Sequence, residues 1–215
     1  MNEKANGIIS KIKNRPVVIG VVGRKGGCRK TTTAHMICQG AAIKNLKAVL
    51  VLTDGQKIPT AVRRYTILDV SDQSIVEEVF TNIEANKDSI DVVVIDGGGN
   101  RKKFDKTLAS FCDLIITPTT IDDPSLFETK EYVDRYSNTF VVVSGYSYNW
   151  AIKKSKRQQS RVREILEDNR IISEVAHLES HAELTQINLS DFSRNINNAC
   201  KHMFIEILGA FKKNS

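Results

Sequence analysis

The sequence predicts an α/β fold, a mostly parallel β-sheet flanked by helices within a single domain covering residues 1–215. Apolar, β-branched runs of strand length alternate with helix-patterned stretches. The runs close on turn residues such as glycine, aspartate or proline. No internal repeat, low-complexity tract or linker breaks the alternation.

Taken in order, Pro16–Gly23 (PVVIGVVG) is wholly apolar and ends in glycine, as a strand buried on both faces of a parallel sheet does. A Gly-rich loop follows, and then TTTAHMICQGAAIKN, with Ala34, Ile37, Cys38 and Ala41 at helical spacing. Lys47–Thr53 (KAVLVLT) is a second buried strand, closed by Asp54-Gly55, and Ile75–Ile83 reads as a helix. Asp91–Asp96 (DVVVID) is a third strand, followed by the Gly97-Gly98-Gly99 turn. Lys103–Cys112 is helical, and Asp113–Thr117 (DLIIT) is a strand stopped by Pro118. Ser125–Tyr136 is a helix and Thr139–Ser144 (TFVVVS) a fifth strand. Lys156–Asp168 is a charged helix, Ile171–Val175 a short strand, and Phe192–Lys212 a terminal helix. Residues 1–15 read as a flexible or helical N-terminal extension.

Composition narrows the function classes. With 41% hydrophobic and 26% charged residues the chain can bury a substantial core and is too apolar for disorder. No apolar run reaches the length of a bilayer-crossing helix, and MNEKANGIISKIKNRP lacks a signal peptide's apolar centre, so a cytoplasmic location is expected. Cys28, Cys38, Cys112 and Cys200 show no C-x-x-C pairing and no zinc-like cluster. Reduced and mostly buried thiols are expected, Cys28 being the exception because of the loop it occupies. His35, His177, His181 and His202 have no triad or metal spacing, and His35 is expected to be structural. A net charge of +6 hints at a polyanionic partner.

The loop carries the chemistry. Gly23-Arg24-Lys25-Gly26-Gly27-Cys28-Arg29-Lys30-Thr31 matches G-x-x-x-x-G-K-[ST] at every defined position except Arg29, which stands where the second glycine belongs. Glycines let backbone N–H groups turn inward around phosphate oxygens, and the following helix contributes the positive end of its dipole. Gly23 to Thr32 therefore form the expected phosphate cradle of a P-loop NTPase fold. Lys30 reaches the β- and γ-phosphates of ATP or ADP and the Thr31 hydroxyl holds Mg²⁺. Arg24, Lys25, Arg29 and Lys30 would repel one another without an anion among them. If position 29 requires a positive φ, arginine costs about 1 kcal/mol there relative to glycine.

The run K-G-G-x-x-K-T-T, opened by Lys25, resembles the deviant Walker A motif of the ParA/MinD family, cytosolic ATPases of plasmid and chromosome segregation and of cell-division positioning. The resemblance extends in element order from Val17 to the terminal helix. It implies an ATP-dependent sandwich homodimer in which Lys25 reaches the partner subunit's phosphates and joins Lys30 in catalysis. It also implies that Asp54, in VLVLTDGQ, positions the attacking water near Mg²⁺, and that Asp96 is the Walker B aspartate holding the metal through water. Thr31, Asp54 and Asp96 are then the metal site. Leu52 replaces an aspartate of the family's D-x-D, and Gly97-Gly98-Gly99 replaces T-P-P after Walker B. Slow hydrolysis is expected, with Arg29 adding a phosphate contact while misplacing the hydrolytic geometry.

A second interface is expected on Lys153–Arg163 (KKSKRQQSRVR), with six basic residues and no acid: Lys153, Lys154, Lys156, Arg157, Arg161 and Arg163. Such a helix can track a phosphate backbone, or it can be a solvated face. The resemblance favours non-specific DNA, hence a nucleoid-associated ATPase with a centromere-binding or other adaptor protein as partner. Tyr146, Tyr148 and Trp150 lie nearby and are read as packing or nucleotide-side residues. In Lys201–Lys213, Phe204, Ile207, Leu208 and Phe211 share a face. This face is expected to pack on the sheet rather than bind membrane, as MinD relatives do with a C-terminal amphipathic helix. The rivals to a partition ATPase are a nucleotide-gated scaffold with little turnover, serving plasmid maintenance or conjugation, and a MinD-like membrane-associated ATPase.

Overall fold

The structure is a computed structural model that describes residues 15–23, 27–55, 62–70, 81, 85, 89–97, 102–146, 153–167, 170–176, 183–186, 189 and 191–214. Among these residues run β1 (Val17–Val21), α1 (Lys30–Ile43), β2 (Ala48–Leu52), β3 (Thr66–Asp69), β4 (Val92–Asp96), α2 (Lys102–Phe111), β5 (Leu114–Thr120), α3 (Asp123–Arg135), β6 (Thr139–Tyr146), α4 (Lys153–Ile165), β7 (Ile171–Ala176) and α5 (Arg194–Asn214). The strands form one sheet in the order β3-β2-β4-β1-β5-β6-β7, and every pairing is parallel.

The apolar runs are buried on both faces because helices cover both. On one face Ile19, Val21, Leu50, Val94, Leu114 and Ile116 pack under α1 and α5, whose Ile37, Cys200, Phe204 and Ile207 are fully enclosed. On the other, Val18, Val93, Ile95 and Ile115 meet Leu108 and Cys112 from α2 and its C-terminal turn, and Tyr132 from α3. Leu126 and Val133 of α3 and Val162 and Ile165 of α4 cover Val141 and Val143 of β6. The face of α5 bearing Phe204, Ile207 and Leu208 is therefore core, with Phe211 packed against it. No helix among the described residues is long and apolar enough to cross a membrane.

Some elements differ from the sequence expectation. Pro118 does not stop β5, which continues to Thr120. The Ile116 carbonyl accepts from Val22 N at 3.0 Å, so alternate residues of β5 face β1, and β1 has ended by the time Pro118 takes that orientation. The missing N–H removes no ladder bond, while Thr117 to Thr120 continue pairing with β6. The short β3 was not legible because it is an edge strand with Thr66, Leu68 and Asp69 exposed, and lacks the apolar run that marked its neighbours. The basic helix α4 also begins three residues before the expected Lys156. The helix expected over Ile75–Ile83 lies almost entirely outside the described residues.

His35 is structural, as expected. It is 2% exposed on α1, with Nδ1 2.7 Å from Tyr65 Oη and the rings edge to face. Burial, with the Arg63 charge nearby, pushes its pKa down to about 4. The unfolded chain then binds a proton between pH 6.5 and 4 that the folded chain refuses, so stability falls as pH drops through that window. The loss from this group reaches about 3 kcal/mol below the folded pKa. Denaturant titrations from pH 7 to pH 4 should show the slope for the wild type and a flatter one for His35→Gln.

Candidate functional site

Register brings the candidate residues to one edge of the sheet. Val21 pairs with Asp96 and with Ile116, and Leu52 pairs with Asp96. The loop after β1, Thr53-Asp54 after β2, Asp96-Gly97 at the end of β4 and Thr117–Thr119 of β5 thus share the carboxyl edge. Here a doubly wound sheet opens a crevice, because the chain runs from β1 to β2 on one side and from β4 to β5 on the other side of β1. From this edge α1 runs back across the sheet for 14 residues with its N-terminus at the loop.

At position 29 the backbone adopts a left-handed conformation although the glycine is lost. Arg29 adopts φ 67° and ψ 31°, and Gly27 has φ 79°. Both lie in the left-handed region, where a glycine meets no Cβ penalty and an arginine does. The Arg29 carbonyl accepts Thr33 N at 2.9 Å, beginning the helical ladder, while its side chain makes no capping bond. Arg29→Gly should therefore raise stability by about 0.5–1 kcal/mol, after offsetting glycine's extra freedom in the unfolded chain. Thermal melts would show a Tm about 2–4 °C higher; an unchanged or lower Tm would mean the arginine side chain compensates its own strain.

Lys30 sits in the first turn of α1, 9% exposed, and its Nζ donates to Cys28 Sγ at 3.5 Å. Cys28 is itself buried, contrary to its expected status as the exception among the thiols, because its side chain turns under the loop rather than outward. Burial raises the other three thiols, Cys200 to about 12, and holds them protonated. The Thr31 hydroxyl donates to Asp96 Oδ2 at 2.6 Å. Asp96 is 1% exposed, and its main-chain carbonyl accepts from Thr53 Oγ1 at 2.6 Å, which ties the ends of β2 and β4 together. Asp54 is exposed at the same edge.

The donor set suits a hard divalent cation. A threonine hydroxyl and a carboxylate are held side by side at a helix N-terminus, and both are the hard oxygen donors that Mg²⁺ takes. Arg24, Lys25 and Gly26 lie outside the described residues, as do Tyr148 and Trp150. Sequence reasoning missed Thr53, a hydroxyl at a strand end whose only signal was its place after an apolar run. It also missed the buried hydrogen bond from Tyr132 Oη to Asp105 linking α3 to α2.

The basic stretch forms α4. Lys156, Arg157, Ser160 and Arg163 are exposed while Val162 and Ile165 face the core. Arg161 is bound to Asp123 at 3.1 Å and to Glu164 at 2.9 Å, so its charge is already answered within the protein. For Lys153 and Lys154 the helix is described and the side chains are not.

The sequence matches no family model and no curated protein. The fold does match solved structures. A plasmid partition protein of Borrelia burgdorferi bound to AMPPNP superposes with a TM-score of 0.66 at 15% identity, covering 91% of this chain and 99% of that one. McdA of Cyanothece, in complex with ATP, gives 0.67 at 12% identity over 92% and 97%. The Aquifex aeolicus MinC:MinD cell division complex gives 0.69 at 15% identity over 90% and 96%.

Proposed function

From the shared fold of the plasmid partition proteins, McdA and MinD, we propose that this chain is a ParA-like partition ATPase that binds ATP with Mg²⁺ on Gly23–Thr32. The observation that carries the reading is the Thr31–Asp96 hydrogen bond of 2.6 Å at the head of α1, beside Lys30. These are the groups a magnesium nucleotide needs, on the strands where the fold places ligands.

In this reading the loop amides and the α1 dipole bind the phosphates and Lys30 leaves Cys28 for the β- and γ-oxygens. Thr31 and Asp96 hold Mg²⁺, which when bound offsets charge on the phosphates. Asp54 orients the attacking water, and Lys25 reaches the partner's phosphates in an ATP-dependent homodimer. Arg29, Leu52 and the Gly97–Gly99 turn make hydrolysis slow. The location is cytoplasmic and nucleoid-associated, with a centromere-binding or other adaptor protein stimulating turnover.

The polyanion is DNA, met by the exposed face of α4. Burial of Phe204, Ile207 and Leu208 in the core favours this over a membrane surface. Retardation of a random duplex should require ATP with Mg²⁺ and fail with ADP. Lys156→Ala with Arg157→Ala should weaken it by about tenfold and lower the salt slope by about 2. Arg161→Ala should do less, given its bonds to Asp123 and Glu164. Equal retardation with both nucleotides, or indifference to the double substitution, would count against DNA as the partner of this helix and favour a nucleotide-gated scaffold.

A further inference from the structure

A narrow cleft opens beside the phosphate loop, between it, the end of β5 and α3, lined among others by Gly23, Cys28, Thr117, Thr119, Thr129 and Tyr132. Gly23 and Cys28 belong to the loop of the nucleotide reading, while the residues that β5 and α3 bring to the cleft have no part in it. Two of its side chains stand out. Thr117 is 2% exposed, and its Oγ1 has no hydrogen-bond partner among the described residues. A buried hydroxyl without a partner is costly, and one lining a cleft is a ready contact for a small polar molecule. Cys28 lines the same cleft, and its sulfur accepts from the Lys30 ammonium at 3.5 Å.

We infer that Cys28 is a redox-modification site: a hydroperoxide entering this cleft oxidises its thiol and closes the loop to nucleotide. The inference rests on the nucleotide reading for its second half only. The chemistry balances without another reactant. The sulfur attacks one peroxide oxygen, the O–O bond breaks, an S–O bond forms, and the thiol proton passes to the departing oxygen, so that Cys–SH and ROOH give Cys–SOH and ROH. Sulfur is oxidised and the peroxide reduced. The Lys30 ammonium stabilises negative charge on the attacking sulfur, and Thr117 Oγ1 offers a hydrogen bond to a peroxide oxygen. The other thiols lack this setting. Cys38 and Cys200 are fully enclosed, and Cys112, at 6% exposed as buried as Cys28 at 5%, packs in a hydrophobic cluster rather than on the cleft. Once oxidised, Cys28 carries an added oxygen that accepts from Lys30 and crowds the space beneath Gly23, whose position lies against the sulfur. The lysine is then retained at the cysteine instead of reaching phosphate.

The test treats the folded, reduced full-length chain with hydrogen peroxide, traps sulfenic acid with dimedone, and maps the adduct by mass spectrometry. Mg-ATP affinity is measured by calorimetry before treatment, after it, and after dithiothreitol. The expected result is an adduct confined to Cys28, an affinity loss of at least about tenfold, and recovery on reduction. Cys28→Ser, whatever its own starting affinity, should change less than about twofold on the same treatment. An adduct spread over the four cysteines, or absent from Cys28, overturns the site. An oxidised chain that binds Mg-ATP like the reduced one overturns the gate and leaves the nucleotide reading standing. No binding before treatment overturns the nucleotide reading and the gate with it, while the labelling pattern still decides the modification site.

Discussion

Lys30→Ala is expected to weaken Mg-ATP binding by about 100-fold, or about 3 kcal/mol. The lysine is 9% exposed at the first turn of α1, so its ammonium sits where solvent screening is low and a phosphate contact counts for more than at the surface. The thiol sulfur to which it donates at 3.5 Å is a weak acceptor, and a phosphate oxygen is a stronger one. Thr31→Ala should cost less, about tenfold, and its loss should appear only with Mg²⁺ present, because the hydroxyl acts through the metal rather than on phosphate. Calorimetric titrations of both variants, with and without magnesium, separate the two roles. Equal affinities for Lys30→Ala and the wild type would mean that the phosphates lie elsewhere.

Gly40→Ala is the substitution expected to damage the fold most. Gly40 lies on α1 where α5 crosses it, and an added Cβ would stand 2.3 Å from the Cys200 carbonyl oxygen and 2.7 Å from Phe204 Cβ. The first obstacle is backbone, which cannot swing aside as a flexible side chain does, so the helices must separate across the largest buried cluster. Overpacking of this kind costs about 2–4 kcal/mol, outweighing the gain of up to about 1 kcal/mol from removing a helical glycine. The melting temperature should drop by about 5–10 °C. Gly209→Ala is the internal control. It lies on α5 with nothing within 4 Å of the added Cβ, so only the propensity gain remains and stability should rise. If both substitutions stabilise, the α1–α5 contact is looser than described.

The central strands and their helices were legible because burial on both faces forces long apolar, β-branched runs. Val17–Val21, Ala48–Leu52 and Val92–Asp96 needed no other signal. Where burial is one-sided or pairing is single, the signal fades. Thr66–Asp69 is an edge strand with its side chains largely exposed, and Pro118 reads as a terminator until the orientation of its missing N–H is known. Within the site, local spacing announced Lys30 and Thr31, and the strand end announced Asp96. Spacing could not announce that Thr31 and Asp96, 65 residues apart, meet at 2.6 Å, since that depends on β4 lying beside β1. Nor could it show that the Cys28 side chain turns under the loop, or that Arg161 is spent on Asp123, because both follow from how the elements pack. The positive φ of Arg29 was legible only as a conditional: the motif demands glycine there, and the backbone still adopts what the motif demands.

The proposed function depends on the head of α1 being a site for a magnesium triphosphate. Isothermal titration of the folded chain with ATP in millimolar magnesium tests that most directly. Saturable binding at one site per chain, weakened by Lys30→Ala and by chelating the metal, is the predicted result. A folded chain that gives no heat with ATP or ADP would contradict it.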